Sequence, residues 1–319
     1  MRLQKSDMGK LKDFLVYVGI VMAMIFWSLS FIWYKDVFKF LSPFTTILFR
    51  LTISGAILFF ASFLAGKLQH VKKKDLKLFL LLALSEPFFY FIGESLGMQY
   101  VTPTVAAVMV ALIPLFVPVF AFFVLKEQII RKNIVGIFIS FAGVLLVILN
   151  NELRLAASLK GVMLMSVAVA SAVAYSIFLR KLASNYNPLT LIAWQNSIGA
   201  VLFLPLVLIF EGPQLKTIDF TSGMWVPLLN LSIFASSIAF LLYTFGVQNL
   251  GAFRANIFTN AIPVFTAIFS FYLMDERLLP QNIFGIFLVV GGLVLSQLKP
   301  IKKLRKKRMK KVEHEVSHS

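Results

Sequence analysis

The sequence predicts an all-α integral membrane protein of ten transmembrane helices, built as two inverted five-helix repeats with both termini cytoplasmic. Three observations carry that reading. The composition is 59% hydrophobic and only 14% charged over 319 residues, with a mean hydropathy of +0.86, which leaves too little polar surface to cover a globule in water. Ten continuous apolar runs follow one another, each close to the roughly 17 to 25 residues that cross a ~30 Å hydrocarbon core. Finally, residues 97–146, GMQYVTPTVAAVMVALIPLFVPVFAFFVLKEQIIRKNIVGIFISFAGVLL, recur as residues 246–295 at a constant offset of 149 with no gap. The identities include Gly97/Gly246, Gln99/Gln248, Pro114/Pro263, Glu127/Glu276, Asn133/Asn282, Gly136/Gly285 and Gly143/Gly292. Chance hydrophobicity does not repeat residues of these types in register.

Taken in order, residues 1–13 form a polar cytoplasmic segment with Arg2, Lys5, Lys10 and Lys12. A cleaved signal peptide is not expected, because the apolar run that follows is long and has no small-residue cleavage site. The first repeat, 14–149, holds spans at about 14–34, 43–65, 76–98, 103–125 and 133–149. A connecting loop, 150–160, leads to the second repeat, 161–298, with spans at about 161–179, 188–210, 224–247, 252–274 and 282–298. Polar hinges at Ser42-Pro43, Lys72 to Asp75, Asn187-Pro188 and Glu211-Gly212-Pro213 separate them. Residues 299–319 are a basic cytoplasmic tail. Strands are not expected, since the apolar runs lack the alternation of a membrane barrel.

The absence of cysteine removes disulfides and thiol nucleophiles. The histidines, His70, His314 and His318, lie in charged connecting or terminal segments, so neither a metal site nor a cofactor is expected within the spans. A net charge of +17 raises the question of nucleic acid. The basic residues instead flank apolar runs or crowd the tail, as anionic headgroups favour, so membrane lipids are the expected partner. With the amino terminus cytoplasmic, that side collects 24 Lys and Arg against six opposite, which sets the orientation in a cytoplasmic membrane. Five spans per copy then invert the second copy. The aligned loops agree: Lys126, Arg131 and Lys132 become Asp275, Pro280 and Gln281, while Glu127/Glu276 and Asn133/Asn282 persist.

The opening WSLSFIWYK (Trp27 to Lys35), the SPFTTILFRLTISGAILF stretch with Arg50, and the duplicated G-x-Q, P-x-F and L-x-E…N-x-x-G-I-F-x-x-x-x-G elements resemble the EamA branch of the drug/metabolite transporter superfamily. The resemblance extends from about residue 14 to 298 and rests on the order, spacing and duplication of motifs that are individually weak. It implies two inverted five-helix halves, a central cavity lined mainly by spans 1, 3, 4, 6, 8 and 9, and export of amino acids or other metabolites.

Ionisable residues at membrane depth are candidate functional groups, because inserting them costs roughly 2.5 to 3.5 kcal/mol. Glu86 lies near the middle of span 3, with Tyr90 and Glu94 at i+4 and i+8 on the same face. Pro87 beside it is expected to bend the helix and free the carbonyl of Ala83. Glu86 is a candidate for proton or substrate coupling; its structural alternative is a hydrogen bond to a neighbouring helix. Arg50, in span 2 at the depth of Glu94, is expected to pair with a carboxylate or snorkel, either as packing or as a receptor for a substrate carboxylate. Asn256 and Asn260 share a face with Pro263, while the aligned positions are Ala107, Ala111 and Pro114. That asymmetry marks them as candidate cavity residues. Asn230, Ser237 and Thr244 recur every seven residues on one stripe of span 8, which is either cavity or helix contact, and Tyr243 of the same span joins the cavity candidates. Trp27 and Ser30 share a face with Tyr34 in span 1, and Trp194-Gln195 mirrors Phe49-Arg50. Arg254 reads as an interface anchor, and Gly136, Gly143, Gly285 and Gly292 as close helix packing.

The leading function is a secondary carrier exporting a small polar metabolite, an amino acid or a related compound, by alternating access with protons as a candidate coupling ion, as a monomer or homodimer. It is not an enzyme. An intramembrane lipid-processing enzyme would need a reactive constellation, and no G-x-S-x-G, histidine cluster or aspartate pair occurs in the spans. No Walker A pattern is present either. A non-transporting membrane subunit is the third reading.

Overall fold

The computed structural model describes residues 2–117, 131–149, 157–216, 218, 220–251, 255 and 258–297, with backbone only over 2–13, 131–133 and 296–297. Among the described residues every regular element is helical. The helices are α1 (Arg2–Val37), α2 (Pro43–Leu64), α3 (Leu76–Ala83), α4 (Tyr90–Gly97), α5 (Pro103–Val110), α6 (Arg131–Ile148) and α7 (Leu159–Leu182). There follow α8 (Pro188–Phe210), the single turn α9 (Gly212–Leu215), α10 (Ser222–Asn230), α11 (Phe240–Leu250), α12 (Ile262–Met274) and α13 (Pro280–Gln297). Six segments are long and apolar enough to cross a membrane: Phe14–Val37, Pro43–Leu64, Lys73–Gly97, Leu159–Leu182, Pro188–Phe210 and Ser222–Leu250. Shorter apolar helices run over Pro103–Val117, Ile134–Ile148, Thr259–Met274 and Pro280–Leu295.

The helix starts follow local chemistry. Proline occupies the first turn of α2, α5 and α8, where its missing N–H costs nothing. Thr102 and Asn187 precede two of these in extended conformation and accept from the amides of Val105 and Thr190, the second at 2.8 Å. The start of α2 is capped from a distance. The buried carboxylate of Glu211 accepts from the amides of Phe44 (3.0 Å) and Thr45 (2.7 Å) and from the Thr45 hydroxyl (2.7 Å). Gly251 ends α11 at φ +83°, a backbone region costly for any side chain. Asn282, one of the residues kept in both copies, accepts from the Leu279 amide at 3.0 Å and so caps α13; its counterpart Asn133 lies outside the described side chains.

Two segments depart from α geometry. The hydrogen bonding widens to π type over Leu84–Phe89, between α3 and α4, where the helix is kinked at Glu86, and over Leu231–Ala239, between α10 and α11. At the repeat offset, residues 84–89 correspond to 233–238, inside the second segment. Within the first, Glu86 adopts extended backbone (φ −146°, ψ 119°), so the simple i+4 relation between Glu86 and Tyr90 does not hold. The carbonyl satisfied by a side chain from elsewhere is that of Ser85, reached by Ser171 of α7, rather than that of Ala83. The second segment shows the parallel arrangement: Trp27 of α1 donates its indole N–H to the carbonyl of Ala235 at 3.3 Å.

Helix α2 packs on α8, α4 on α7, α6 on α13, and α1 on α11 and α12, with α12 also against α5. Small residues set these distances. A Cβ on Gly93 would come within 2.5 Å of the Leu164 carbonyl and 2.7 Å of the Ala168 nitrogen on α7. At the α6/α13 crossing, a Cβ on Gly143 would meet the Gly285 carbonyl at 2.6 Å and the Val289 nitrogen at 2.7 Å, and one on Gly292 would meet the Gly136 carbonyl at 2.6 Å. Ser140 bonds across the same crossing to the Val289 carbonyl at 3.0 Å. All four repeated glycines therefore serve backbone contact. The outer surface is apolar, with Phe60, Phe63, Phe138 and Phe287 each at least 65% exposed, as a chain solvated by lipid requires.

Because the obstructing atoms at Gly143 are backbone, Gly143→Ala is expected to destabilise by about 1–3 kcal/mol. Gly291→Ala, where a Cβ meets nothing within 4 Å, serves as the control and is expected to be neutral or slightly stabilising. Thermal unfolding of the two variants in lipid nanodiscs measures the difference.

Candidate functional site

A cavity of about 90 Å³ lies where α1, α2, α4, α5, α7 and α11 converge with the first π-helical segment and the start of α12. Its walls include Trp27, Ser30, Arg50, Glu86, Tyr90 and Glu94, and also Tyr243, so seven of the expected site residues meet in one place. Phe31, Phe91, Tyr175, Ser176, Phe240 and Thr259 complete much of the remaining lining.

Arg50 is only 2% exposed, and its charge is solvated by the protein. Its Nη1 donates to the Tyr34 hydroxyl at 2.6 Å, and its Nε donates to the Ser236 hydroxyl in the second π-helical segment. The guanidinium carbon lies 4.4 Å from the ring centre of Phe91 and 5.3 Å from that of Tyr34. The Tyr34 hydroxyl also faces Glu94, and Tyr90 donates to Glu94 Oε1 at 2.9 Å. The expected pairing of Arg50 with a carboxylate is thus indirect. Among the described residues no ion pair joins Arg50 to Glu94; Tyr34 stands between them. The burial of Arg50 also excludes snorkelling.

Glu86 is different. It is 7% exposed, lines the cavity, and accepts no hydrogen bond from any described residue. Tyr90, Tyr175 and Tyr243 lie within electrostatic range of its carboxylate, as do Glu94 and Arg50. The same cavity has an aromatic wall: the ring of Trp27 sits 5.1 Å from those of both Phe240 and Tyr243, and the ring of Tyr175 lies 6.5 Å from that of Phe240. Pro87, next in sequence, packs directly against Gly199 of α8, which has no side chain to obstruct it.

Several expected residues lie elsewhere. Ser237 bonds to the hydroxyl of Ser54 at 2.7 Å and to the carbonyl of Ser232 at 2.8 Å, and Asn196 donates to Ser54 (2.7 Å) and to the Ser236 carbonyl (3.0 Å). Ser237 is therefore helix contact between α2, α8 and the π-helical segment, not cavity lining. Asn230 and Thr244, on the same stripe, also fall outside the lining. Asn260 is buried with neither amide atom partnered among the described residues, yet Thr259 and Ile262, not Asn260, face the cavity. The short 3₁₀ turn Thr259–Ala261 puts 259 and 262 on one side and turns 260 away. Asn256 and Arg254 lie outside the described residues.

The missed lining residues carry a signal that the repeat contains. The offset of 149 relates Phe91 to Phe240, Glu94 to Tyr243, Val110 to Thr259 and Ile113 to Ile262, and the offset of 145 that aligns Pro43 with Pro188 and Arg50 with Gln195 relates Trp27 to Ala172, Ser30 to Tyr175 and Phe31 to Ser176; every one of these residues but Pro43, Pro188 and Gln195 lines the cavity. At the offset of 149 Glu86 corresponds to Ala235. Gln195, which mirrors Arg50, accepts from Tyr175 at 3.3 Å, much as Arg50 engages Tyr34. The cavity is duplicated in shape, but its ionisable side chains other than tyrosine all come from the first copy.

The model of the family described as the EamA-like transporter family matches residues 14–149 and 159–298. The chain belongs to this family. As an EamA-like protein it is a multi-pass membrane protein of the drug/metabolite transporter type, and its relatives are transporters. It is similar to an uncharacterized transporter of Archaeoglobus fulgidus, 28% identical over 279 residues, which cover 88% of this chain and 97% of the relative. It is also similar to the uncharacterized transporter YyaM of Bacillus subtilis, at 24% identity covering 90% and 95% of the two chains. A solved crystal structure shares the fold with a TM-score of 0.68 at 17% identity, covering 88% of this chain and 96% of that one.

If the guanidinium geometry at Arg50 holds the site together, Arg50→Lys cannot replace it, because an ammonium cannot serve Tyr34 and Ser236 at once as the planar fork does. Arg50→Lys is expected to lower stability by about 1–3 kcal/mol, the cost of buried groups left unpaired. A double-mutant cycle with Tyr34→Phe, read by thermal unfolding, is expected to show coupling of about 1 kcal/mol; additivity of the two changes contradicts the bridge.

Proposed function

We propose that this protein is a secondary carrier that exports a small metabolite bearing an amino group, an amino acid or a related amine, across the cytoplasmic membrane. Ten spans in two inverted halves, 14–149 and 161–298, with both termini cytoplasmic, expose the cavity alternately to each side. The observation that carries this reading is a buried carboxyl, Glu86, with no described hydrogen-bond partner, at a cavity whose walls come from both copies of the repeat. A membrane-depth carboxyl without a structural partner is expensive to keep, and binding a cargo ammonium or a proton accounts for it. The exchange of partners between the copies supports alternating access: α1 packs against α11 and α12 while α7 packs against α4. The two π-helical segments at matching repeat positions supply points where the flanking helices can change direction.

The test is counterflow of radiolabelled amino acids and amines in proteoliposomes with and without a pH gradient. The wild-type protein is expected to exchange a labelled amino compound, and Glu86→Gln is expected to lose at least about tenfold in rate, the worth of one charge-assisted contact. Thermal unfolding of the same preparation confirms that Glu86→Gln is folded. A folded Glu86→Gln that keeps the wild-type rate and the wild-type response to the pH gradient removes the assignment.

A further inference from the structure

The three ionisable groups other than tyrosine in the cavity are not equally available. Arg50 has Nη1 committed to Tyr34 and Nε to Ser236, and its plane rests over Phe91. Glu94 accepts from Tyr90 and faces Tyr34. Glu86 alone is without a described hydrogen bond, and it lines the same cavity as the rings of Trp27, Tyr175, Phe240 and Tyr243. An anionic or zwitterionic cargo needs a donor for its carboxylate; two of the five N–H groups of Arg50 are taken by Tyr34 and Ser236, and its charge is balanced by Glu94 across Tyr34, which weakens its pull on a cargo carboxylate. A carboxylate that shares a small cavity with several aromatic rings is the chemistry that holds an ammonium group, because both the charge and the ring quadrupoles attract it.

On the reading of the protein as a carrier, we infer that the cavity selects a small organic cation, an ammonium group on an apolar body, in preference to the zwitterion or anion of the same body. Glu86 holds the ammonium charge, and Trp27, Tyr243 and Phe240 pack against the body and the ammonium-bearing carbon. Arg50 opposes any carboxylate-free cation weakly, since its charge is offset by Glu94 across Tyr34. For the same reason it attracts a cargo carboxylate less than Glu86, which has no described partner, attracts an ammonium.

The experiment compares four probes with one body: 2-phenylethylammonium, phenylalanine, 3-phenylpropionate and 2-phenylethanol. Binding to the full chain in nanodiscs is read by tryptophan fluorescence and by calorimetry, and flux is read separately by counterflow. The cation is expected to bind at least about tenfold more tightly than phenylalanine and the anion not to bind measurably. Glu86→Gln is expected to lose at least about tenfold in affinity for the cation, and Tyr243→Leu several-fold. Phenylalanine binding as tightly as the cation overturns the inference, and so does unchanged cation affinity in a folded Glu86→Gln or binding of none of the four. Cation binding without counterflow leaves the selectivity standing and overturns the carrier. Counterflow that prefers phenylalanine keeps the carrier and overturns the selectivity.

Discussion

A guanidinium 2% exposed in a chain with an apolar outer surface has to be stabilised chiefly by groups of the protein. Arg50 sets that requirement, and much of the interior follows from meeting it. Tyr34 of α1 and Ser236 of the second π-helical segment take its donors, Phe91 of α4 lies under its plane, and Glu94 balances its charge through Tyr34. One side chain of α2 thereby ties together elements from both copies of the repeat. The indirect link has a physical advantage over a direct ion pair. A phenol bridging the two charges leaves each with a hydrogen bond while spreading the charge over a longer path, which matters where the effective dielectric is low.

Against that closed network, the openness of Glu86 stands out. Its neighbours in the repeat frame are chemically plain: Ala235 occupies the same position in the second copy, and Tyr243 takes the place of Glu94. Duplication therefore supplied two equivalent walls of matching shape, while charge was kept on one. A symmetric cavity can serve alternating access, because each half can take up the other's conformation. On the carrier reading, an asymmetric charge distribution would give a cargo one preferred orientation. The aromatic wall of Trp27, Phe240, Tyr243 and Tyr175 draws on both copies.

The π-helical segments belong to the same logic. Each offers a carbonyl to a side chain of the helix that packs against it: Ser171 to Ser85 in one case, Trp27 to Ala235 in the other. These bonds satisfy backbone groups that would otherwise be left without partners in lipid. They also connect α7 to the segment that carries Glu86, and α1 to the segment that carries Ser236. Both π-helical segments thus lie beside the cavity and are held by helices that line it.

The positions of the helices were readable from the sequence because they depend on local properties: apolar length, proline at a first turn, a threonine or asparagine before it, and glycine where backbones meet. Pro188–Phe210 and Pro43–Leu64 fall within a residue of the expected spans, and the repeated glycines pack as expected. The repeat also held the outline of the cavity, at an offset of 149 for Phe91 and Glu94 and of 145 for Trp27. What the sequence could not decide was which buried polar groups would find one another. Helical spacing put Ser237 and Asn260 on plausible faces, but a π-helical segment and a 3₁₀ turn rotated them away from the cavity by fractions of a turn that periodicity does not register. The partner of Arg50 was likewise settled in three dimensions, because a phenol from α1 reaches it before the carboxylate of α4 does. Burial and periodicity are written along the chain; hydrogen-bond partners at the convergence of several helices depend on separations of an ångström or less, which only the packed structure determines.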